Sequence, residues 1–434
     1  MKKYLAMIAV FIMVIAGQTV QAEEQEATIL KRETVTFEAG QEYALESGVQ
    51  LFALEGYGGS YGAQLEDIGL EMYQSMKTNY LNSLACSQLE VIFEEPLLFE
   101  ATIDGEYIVE DETYTEISNW ITYQFYMSTL AFLYDYPEEY WLRGMEMEYD
   151  LYAVEWVSET SCIVEIPTIY LSPIESFSSA SSVELQTKFN TSVDAAVAEI
   201  LKNINESATN YEKAWEIRKW IGEQVTYHNA AAENMEAVEY EYAFSPYMVF
   251  VDDSSMQKAV VCEGYAQAMK ILCDRFGIPC ALVNGYAYNS SGETGAHMWN
   301  LVQMEDGNWY GVDITWDDNI DESIGDAAEL SSLYFMAGGL SQGLDLTFAE
   351  EHQPEDSGLL IYPAIYDQKY ELKKDVLMGD INFDNTVNAL DAMRFQRYMA
   401  GWNVEINLDA ADLTGDGSIQ NDDVEKLLKT LAGW

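Results

Sequence analysis

The tightest constraint on this chain is a repeat near its C-terminus. It is seen when GDINFDNTVNALDAMRFQRYMAG (379–401) is set beside ADLTGDGSIQNDDVEKLLKTLAG (411–433). Each copy opens with oxygen-bearing side chains at loop positions 1, 3, 5 and 12. These are Asp380, Asn382, Asp384 and Asp391 in the first copy, and Asp412, Thr414, Asp416 and Asp423 in the second. Calcium takes roughly six to eight oxygens on a sharply turned loop, with a main-chain carbonyl at position 7. Thr386 and Ser418 would supply those carbonyls, and Asn388 and Gln420 would act through water. Position 6 calls for a left-handed backbone, which Gly417 adopts freely and Asn385 tolerates. An apolar helical pattern follows each loop, so the end of the chain is predicted to be a small all-α unit holding two Ca2+.

The opposite end reads as an export signal. Lys2 and Lys3 precede the apolar run YLAMIAVFIMVIAG, and VQA closes it at Ala22 with small residues suited to cleavage. The run is short for a membrane span. The expectation is a signal peptide over 1–22, a secreted extracellular protein and no membrane association after cleavage. A formal net charge of −53 excludes nucleic acid as a partner, since phosphate binding needs clustered Lys and Arg. That charge suits a soluble monomer. With 434 residues, 49% of them hydrophobic, the chain can bury a large core and form more than one domain. Five cysteines leave at least one unpaired, and the sequence leaves open whether Cys86 and Cys162 bridge.

The remaining thiols focus on VVCEGYAQAMKILC, residues 260–273. Apolar or small residues at 265, 268, 269, 272 and 276 follow a helical period, and Gly277 and Pro279 stop it. Cys262 then lies in the first turn, where the helix dipole and free N–H groups favour an anion. Cys273, eleven positions on, suits a core thiol. Of the three histidines, His297 lies in the extended run GAHMWNLVQM, followed by a turn at EDGN and a second strand, WYGVDITWDD, containing Asp313. A thiol nucleophile, an imidazole to move its proton and a carboxylate to orient the ring are the parts of a cysteine acyl-transfer site. Register tests the idea. A two-residue turn at Asp306-Gly307 would put Asp313 opposite Asn300 and His297 on the other face. The partnership therefore predicts an odd loop, such as Asp306-Gly307-Asn308, or a bulge.

Two resemblances extend this reading. VVCEGYAQAMKILCDRFGIPCALVNGYAY, AHMWNLV and NWYGVDITWDD, preceded by YEKAWEIRKWIGEQVTYHNA, resemble a transglutaminase-like (papain-related) core. The resemblance implies Cys262 as nucleophile, His297 as base and acid, and Asp313 as the orienting carboxylate, with no cofactor for catalysis. It also keeps Asn284-Gly285 inside a strand and gives His352, in FAEEHQPED, a supporting role. His228 is expected to be structural or exposed, and Trp299 and Trp316 to pack in the core, with a wall of the substrate groove as the alternative. The C-terminal repeat resembles a type I dockerin, the module that docks enzymes on cohesins of a cellulosome scaffold. That implies a cohesin partner touching Ala389, Leu390, Asn421 and Asp422, with Arg394, Arg397, Lys426 and Lys429 as a basic rim. The two pairs differ, so two equivalent docking faces are not expected. Thr414, where Asn or Asp is usual, should weaken the second calcium loop.

The fold expected is α+β. It comprises an N-terminal α+β flank (23–185), a papain/transglutaminase-like core with its nucleophile helix on an antiparallel sheet (186–371), and the dockerin (377–434). In the flank, helices are read in 58–81 and 115–135, strands in 141–157 and 160–173, and a linker at SFSSASS (176–182). YDYPEEYWL (134–142) resembles an element preceding such cores. The function expected is a secreted, scaffold-docked thiol enzyme acting on protein or peptide amides as peptidase, deamidase or transglutaminase. The alternatives are a non-catalytic dockerin-bearing binding protein and a carbohydrate-active enzyme of polysaccharide degradation.

Overall fold

A computed structural model of the protein describes residues 28–38, 57–81, 88–105, 107–142, 144–174, 180–205, 207–234, 238–254, 257–292, 294–318, 332–355, 360–372, 377–408 and 410–433. Residues 1–22, expected to be a signal peptide, and Cys86 lie outside these residues, and Cys162 has no disulfide partner among them. The chain divides into two units, Met1–Lys369 and Tyr370–Trp434.

The first unit begins with β1 (Thr28–Glu38), α1 (Asp67–Tyr80), β2 (Leu89–Asp104), β3 (Tyr107–Ile108), α2 (Glu112–Asp135), β4 (Gly144–Ser158) and β5 (Ser161–Pro173). The strands form one antiparallel sheet in the order β1-β4-β5-β2-β3. Alternation drives it: Met145, Met147, Tyr149 and Leu151 on β4 are buried, while the intervening Glu146 and Glu148 are half-exposed. Ile121, Phe125 and Phe132 bury the apolar stripe of α2 in the same core.

α3 (Ala180–Ile200), α4 (Asn210–Gln224), β6 (Thr226–Tyr227), β7 (Ala259–Val260) and α5 (Cys262–Arg275) follow. The serine-rich stretch read as a linker over 176–182 enters α3 at Ala180. The buried helical series Phe189, Val193, Ala196 and Ile200 outweighs the loop propensity of serine there. The second sheet comprises β8 (Cys280–Tyr288), β9 (Thr294–Gln303), β10 (Trp309–Val312), β11 (Phe335–Ala337) and β12 (His352–Pro354), in the order β11-β10-β9-β8-β12. α5 packs across β8 and β9, and Asn300 Nδ2 donates to the Ala266 carbonyl at 3.0 Å to fix it there.

The β9–β10 hairpin settles the register question. Trp309 pairs with Gln303 and Val312 with Asn300, and Met304 N–H donates to Asn308 O at 3.1 Å. The loop is therefore Glu305–Gly307, odd as the triad requires but one position earlier than Asp306–Asn308. Asp306 sets this choice by accepting from Asn308 N–H (3.0 Å) and the Tyr310 hydroxyl (2.6 Å), with Gly307 at φ +81° closing the turn. Continued by one residue, the register places Asp313 opposite Trp299, on the face that carries His297.

The two sheets share one core. Ala266, Ala281, Leu282 and Met298 cluster with Phe132, Met147 and Leu171. The Tyr61 hydroxyl donates to the Leu282 carbonyl, and the Gln64 amide pairs both ways with the Ile361 backbone at 2.8 and 2.7 Å. Asp135, ending α2, accepts Tyr61 N–H (2.8 Å), Gly62 N–H (2.9 Å) and the Tyr73 hydroxyl (2.8 Å). The N-terminal flank is thus built into the unit that carries Cys262.

The second unit contains α6 (Ala389–Met399) and α7 (Asn421–Leu431), packed through Ile381, Ala392, Phe395, Ile406, Ala411, Val424 and Leu427.

Candidate active site

Cys262 is the first residue of α5 and is half-buried, whereas Cys273 is fully buried on the same helix. Val261 precedes it without a side-chain cap, so no side chain of the N-cap competes for the first-turn N–H groups. His297 comes from β9, is buried, and lies within hydrogen-bond reach of the Cys262 thiol. Its Nε2–H donates to Asp313 Oδ2 at 2.7 Å, which leaves Nδ1 for the sulfur.

Asp313 leaves β10 and caps the helical turn Ile314–Asp318. Its Oδ1 accepts Trp316 N–H at 3.1 Å, and its own N–H donates to Tyr334 O at 3.0 Å. One oxygen is thus committed to a helix and the other to imidazole, which fixes the carboxylate plane.

Burial alone would drive protons off His297. The Asp313 charge and hydrogen bond overcome that, with Cys262 adding to them, and hold the imidazole proton up to about 10. Burial would likewise raise Asp313, but His297 and then His352 keep it well below the usual carboxylate range. His352 reaches the same carboxylate: its Nε2 lies 2.9 Å from Asp313 Oδ2. Burial pushes the His352 proton affinity down despite Asp313, and His297 beside it adds to the fall. The ligand atoms of His297, Asp313 and His352 lie within 4.8 Å of one another, the donor types of a metal site. Both Nε2 atoms are spent on Oδ2, however.

Three side chains that sequence reasoning assigned no role support the site. Arg218 on α4 pairs with buried Asp317 at 3.0 Å, and Asp317 Oδ1 accepts Tyr334 N–H at 3.0 Å. Burial raises Asp317 to about 7, with Arg218 opposing the rise. This chain of contacts ends on the carbonyl that receives Asp313 N–H. Burial raises the hydroxyl of Tyr227, on β6 beside β7, to about 12, with the neighbouring Cys262 and Asp313 adding to the rise. His228 is buried and structural, its Nδ1 accepting Ala231 N–H at 3.1 Å. Trp299 is buried in the core; Trp316 is half-buried, its ring 5.6 Å from that of His297 and 4.8 Å from that of His352.

Gly285, inside β8, stands opposite His297 and also pairs with Pro354 of β12. A Cβ there would sit 2.2 Å from the Gln353 carbonyl. Glycine lets β12 close on the sheet edge and bring His352 to Asp313.

In the second unit the two loops repeat their geometry. Asp391 accepts Ile381 N–H (2.8 Å), Asn382 N–H (3.0 Å) and Asn388 N–H (2.8 Å). Asp423 accepts Thr414 N–H and Gln420 N–H, both at 2.8 Å. Position 6 is left-handed in both, at φ +59° for Asn385 and +81° for Gly417. Asp380 and Asp412 curl their loops by accepting backbone N–H groups from 384–385 and from 415–417. These donor sets fit a hard cation. Thr414 differs from its counterpart Asn382, turning its hydroxyl onto Asp423 Oδ1 at 2.9 Å. Of the expected partner-binding residues, Ala389, Leu390, Asn421 and Asp422 open the two helices and are exposed, with Leu390 at 54%. Arg394 donates to Glu405 O (2.7 Å), Arg397 lies 5.5 Å from the Trp402 ring centre, and Lys429 pairs with Glu425 (2.7 Å). Lys426 is exposed.

Comparison with known proteins agrees with this division. Residues 198–314 match the transglutaminase-like superfamily and residues 378–432 the dockerin type I domain, a domain type that binds calcium. Among solved structures the chain resembles a TGase (13% identity, 56% of this chain and 54% of that one, TM-score 0.24). It also resembles a putative cysteine protease from Cytophaga hutchinsonii (17%, 36% and 54%, TM-score 0.20). A third is the periplasmic domain of TgpA from Pseudomonas aeruginosa bound to ethylmercury (15%, 40% and 72%, TM-score 0.22). The chain spans about half the length of the first two. No curated protein matches it.

Proposed function

We propose that this chain, which joins a transglutaminase-like domain to a type I dockerin, is a secreted thiol enzyme acting on protein or peptide amides through an acyl-enzyme on Cys262. The observation that carries this reading is one imidazole, His297, reaching both the Cys262 thiol and the Asp313 carboxylate. With its proton retained, His297 is the charge partner a thiolate needs. The sulfur attacks the amide carbon. The tetrahedral oxyanion forms beside the first turn of α5, where the Cys262 N–H is positioned to donate. Collapse breaks the C–N bond, and the leaving amine takes the Nδ1 proton of His297. Water, or a lysine amine, then attacks the thioester and returns a proton to Nδ1, and collapse breaks the C–S bond, releasing the acid or the new amide and restoring the Cys262 thiolate. Asp313 keeps the ring aligned throughout.

The dockerin would attach this activity to a cohesin scaffold, the extracellular setting of a cellulosome. Each loop would hold one calcium ion, the first through Asp380, Asn382, Asp384, Thr386 O and Asp391, the second through Asp412, Thr414, Asp416, Ser418 O and Asp423. The ions would supply the charge that folds the loops. Exposed Leu390 and Met393 on α6, against Asn421 and Asp422 on α7, favour one docking face over two equivalent ones. Among the described residues no helix is long and apolar enough to cross a membrane.

The test is mass spectrometry of a peptide library incubated with the protein and a primary amine. Cleavage, deamidation or amine adducts that vanish in Cys262→Ala support the reading and name the fate of the acyl group. Products that persist in Cys262→Ala, or no products with either protein, sink it.

A further inference from the structure

His352 is the one member of the buried network without a part in the steps above. It enters from the sheet edge, where β12 pairs His352 with Ala287 of β8. Its ring lies flat on Phe348, with centroids 4.1 Å apart and planes 7° apart. Both ring nitrogens face acceptors: Nε2 is 2.9 Å from Asp313 Oδ2 and Nδ1 is 3.2 Å from the Phe348 carbonyl. A neutral imidazole has a single N–H. The shorter contact, to an ionised oxygen, claims it.

We propose that His352 is a positioning residue for the Cys262 reaction, its Nε2–H holding Asp313 as an anion aimed at His297 while His297 gives up and regains its proton. This inference rests on the thiol-enzyme reading. When His297 passes its Nδ1 proton to the leaving amine, Asp313 loses its compensating positive charge. A buried carboxylate without a counter-cation is held only by the N–H groups that face it. The Nε2–H of His297 alone would leave Oδ2 with a single imidazole donor at that stage. The His352 N–H is the second donor to the same oxygen and keeps it in place. Oδ2 therefore stays aimed at the His297 Nε2–H, and Nδ1 stays the acceptor for the incoming water or amine. His352 itself ends each cycle unchanged.

Its surroundings suit a neutral donor. The charged or titratable groups facing it are Asp313, His297 from β9, Glu351 beside it and Tyr334 ahead of β11. The rings of Trp299, Trp316 and Phe348 also pack against it.

The experiment follows iodoacetamide alkylation of Cys262 in the full chain from pH 5 to 9, with melting temperature recorded for each variant. His352→Gln retains an N–H near the Nε2 position but loses the stacked ring. His352→Phe retains the ring and loses the donor. The expected result is that Gln slows labelling at pH 6 by about threefold or less, while Phe displaces the profile upward by about one pH unit, ~10-fold slower at pH 6. A packing role reverses that order and overturns the inference. If the wild-type thiol labels no faster than that of His297→Ala, the thiol-enzyme reading fails and takes this one with it. A second measurement needs no variant: the chain has three histidines, so 15N-histidine NMR can resolve each. A neutral Nε2–H tautomer at His352 across this pH range supports the proposal, and an imidazolium or an Nδ1–H tautomer overturns it.

Discussion

Asp313 and Asp391 are both buried carboxylates that accept three N–H groups, and they do different jobs. Two of the donors to Asp313 are imidazoles, and one of those holds its proton to about 10. The negative charge is matched inside the protein. All three donors to Asp391 are backbone amides, which satisfy its lone pairs and bring no net charge. Asp380 and Asp384 share its loop, so the excess charge there awaits a cation from solution. Saturating an oxygen with hydrogen bonds and neutralising its charge are separate achievements.

The sharpest way to break this contrast is to remove each carboxylate with and without calcium. Asp313→Ala lets buried His297 lose its proton and takes the acceptor from the two imidazoles and the Trp316 N–H, and should cost about 3–5 kcal/mol in urea unfolding of the first unit, independent of calcium. Asp391→Ala should lower the unfolding midpoint of residues 377–433 in calcium and have little further effect in EDTA. Hydrogen exchange in the two units separates the responses. Calcium dependence of the Asp313→Ala loss would show that the contrast is misdrawn.

A smaller effect is expected from pH. His297 has a raised pKa, so its stabilisation is complete below its unfolded value of about 6.5 and disappears as pH climbs to about 10. Asp313 has a depressed pKa, so its share is complete above about 3.9 and is lost only as acid titrates the folded carboxylate. Urea midpoints of the first unit should therefore decline from pH 6.5 to 10 in the wild type and lose that slope in Asp313→Ala. Asp384 and Asp423 in the second unit are also depressed, by hydrogen bonds and despite partial burial respectively, and their contribution fades only in acid. A matching alkaline slope in the second unit would count against the comparison.

The smallest effect sharpens the comparison inside the dockerin. Thr414→Asn restores the side-chain carbonyl found at Asn382 and should tighten the second calcium site by about threefold to tenfold, on the order of 1 kcal/mol. Calorimetry that detects two unequal sites in the wild type and nearly equal ones in the variant supports the loop reading. An unchanged isotherm removes Thr414 as the cause.

Much of the candidate site was legible because its signals are local. A thiol opening a helical period and a histidine in a strand announce themselves, and hairpin parity linked His297 to Asp313. WYGVDITWDD, read as a strand containing Asp313, instead ends its strand at Val312 and turns helical at Ile314, where Asp313 caps the turn. The loop position was off by one because Asp306 chooses it through side-chain contacts with Asn308 and Tyr310. His352 was assigned a supporting role by resemblance alone. Nothing near residue 352 tells that β12 joins an open sheet edge and returns to a carboxylate 39 positions earlier. Arg218 was invisible for the same reason, its partner lying 99 residues away. In the flank, alternation revealed β4 and β5, but sheet order depends on which faces the whole chain can cover.

The apolar cluster joining Phe132, Met147 and Leu171 to Ala281, Leu282 and Met298 has a practical side. A shortened polypeptide starting at residue 186 would strip the roof from the strand that abuts Tyr61 and turn greasy skin toward water. Such a fragment should clump when expressed, even with every proposed reactive group intact. Whoever trims this chain has to cut ahead of β1.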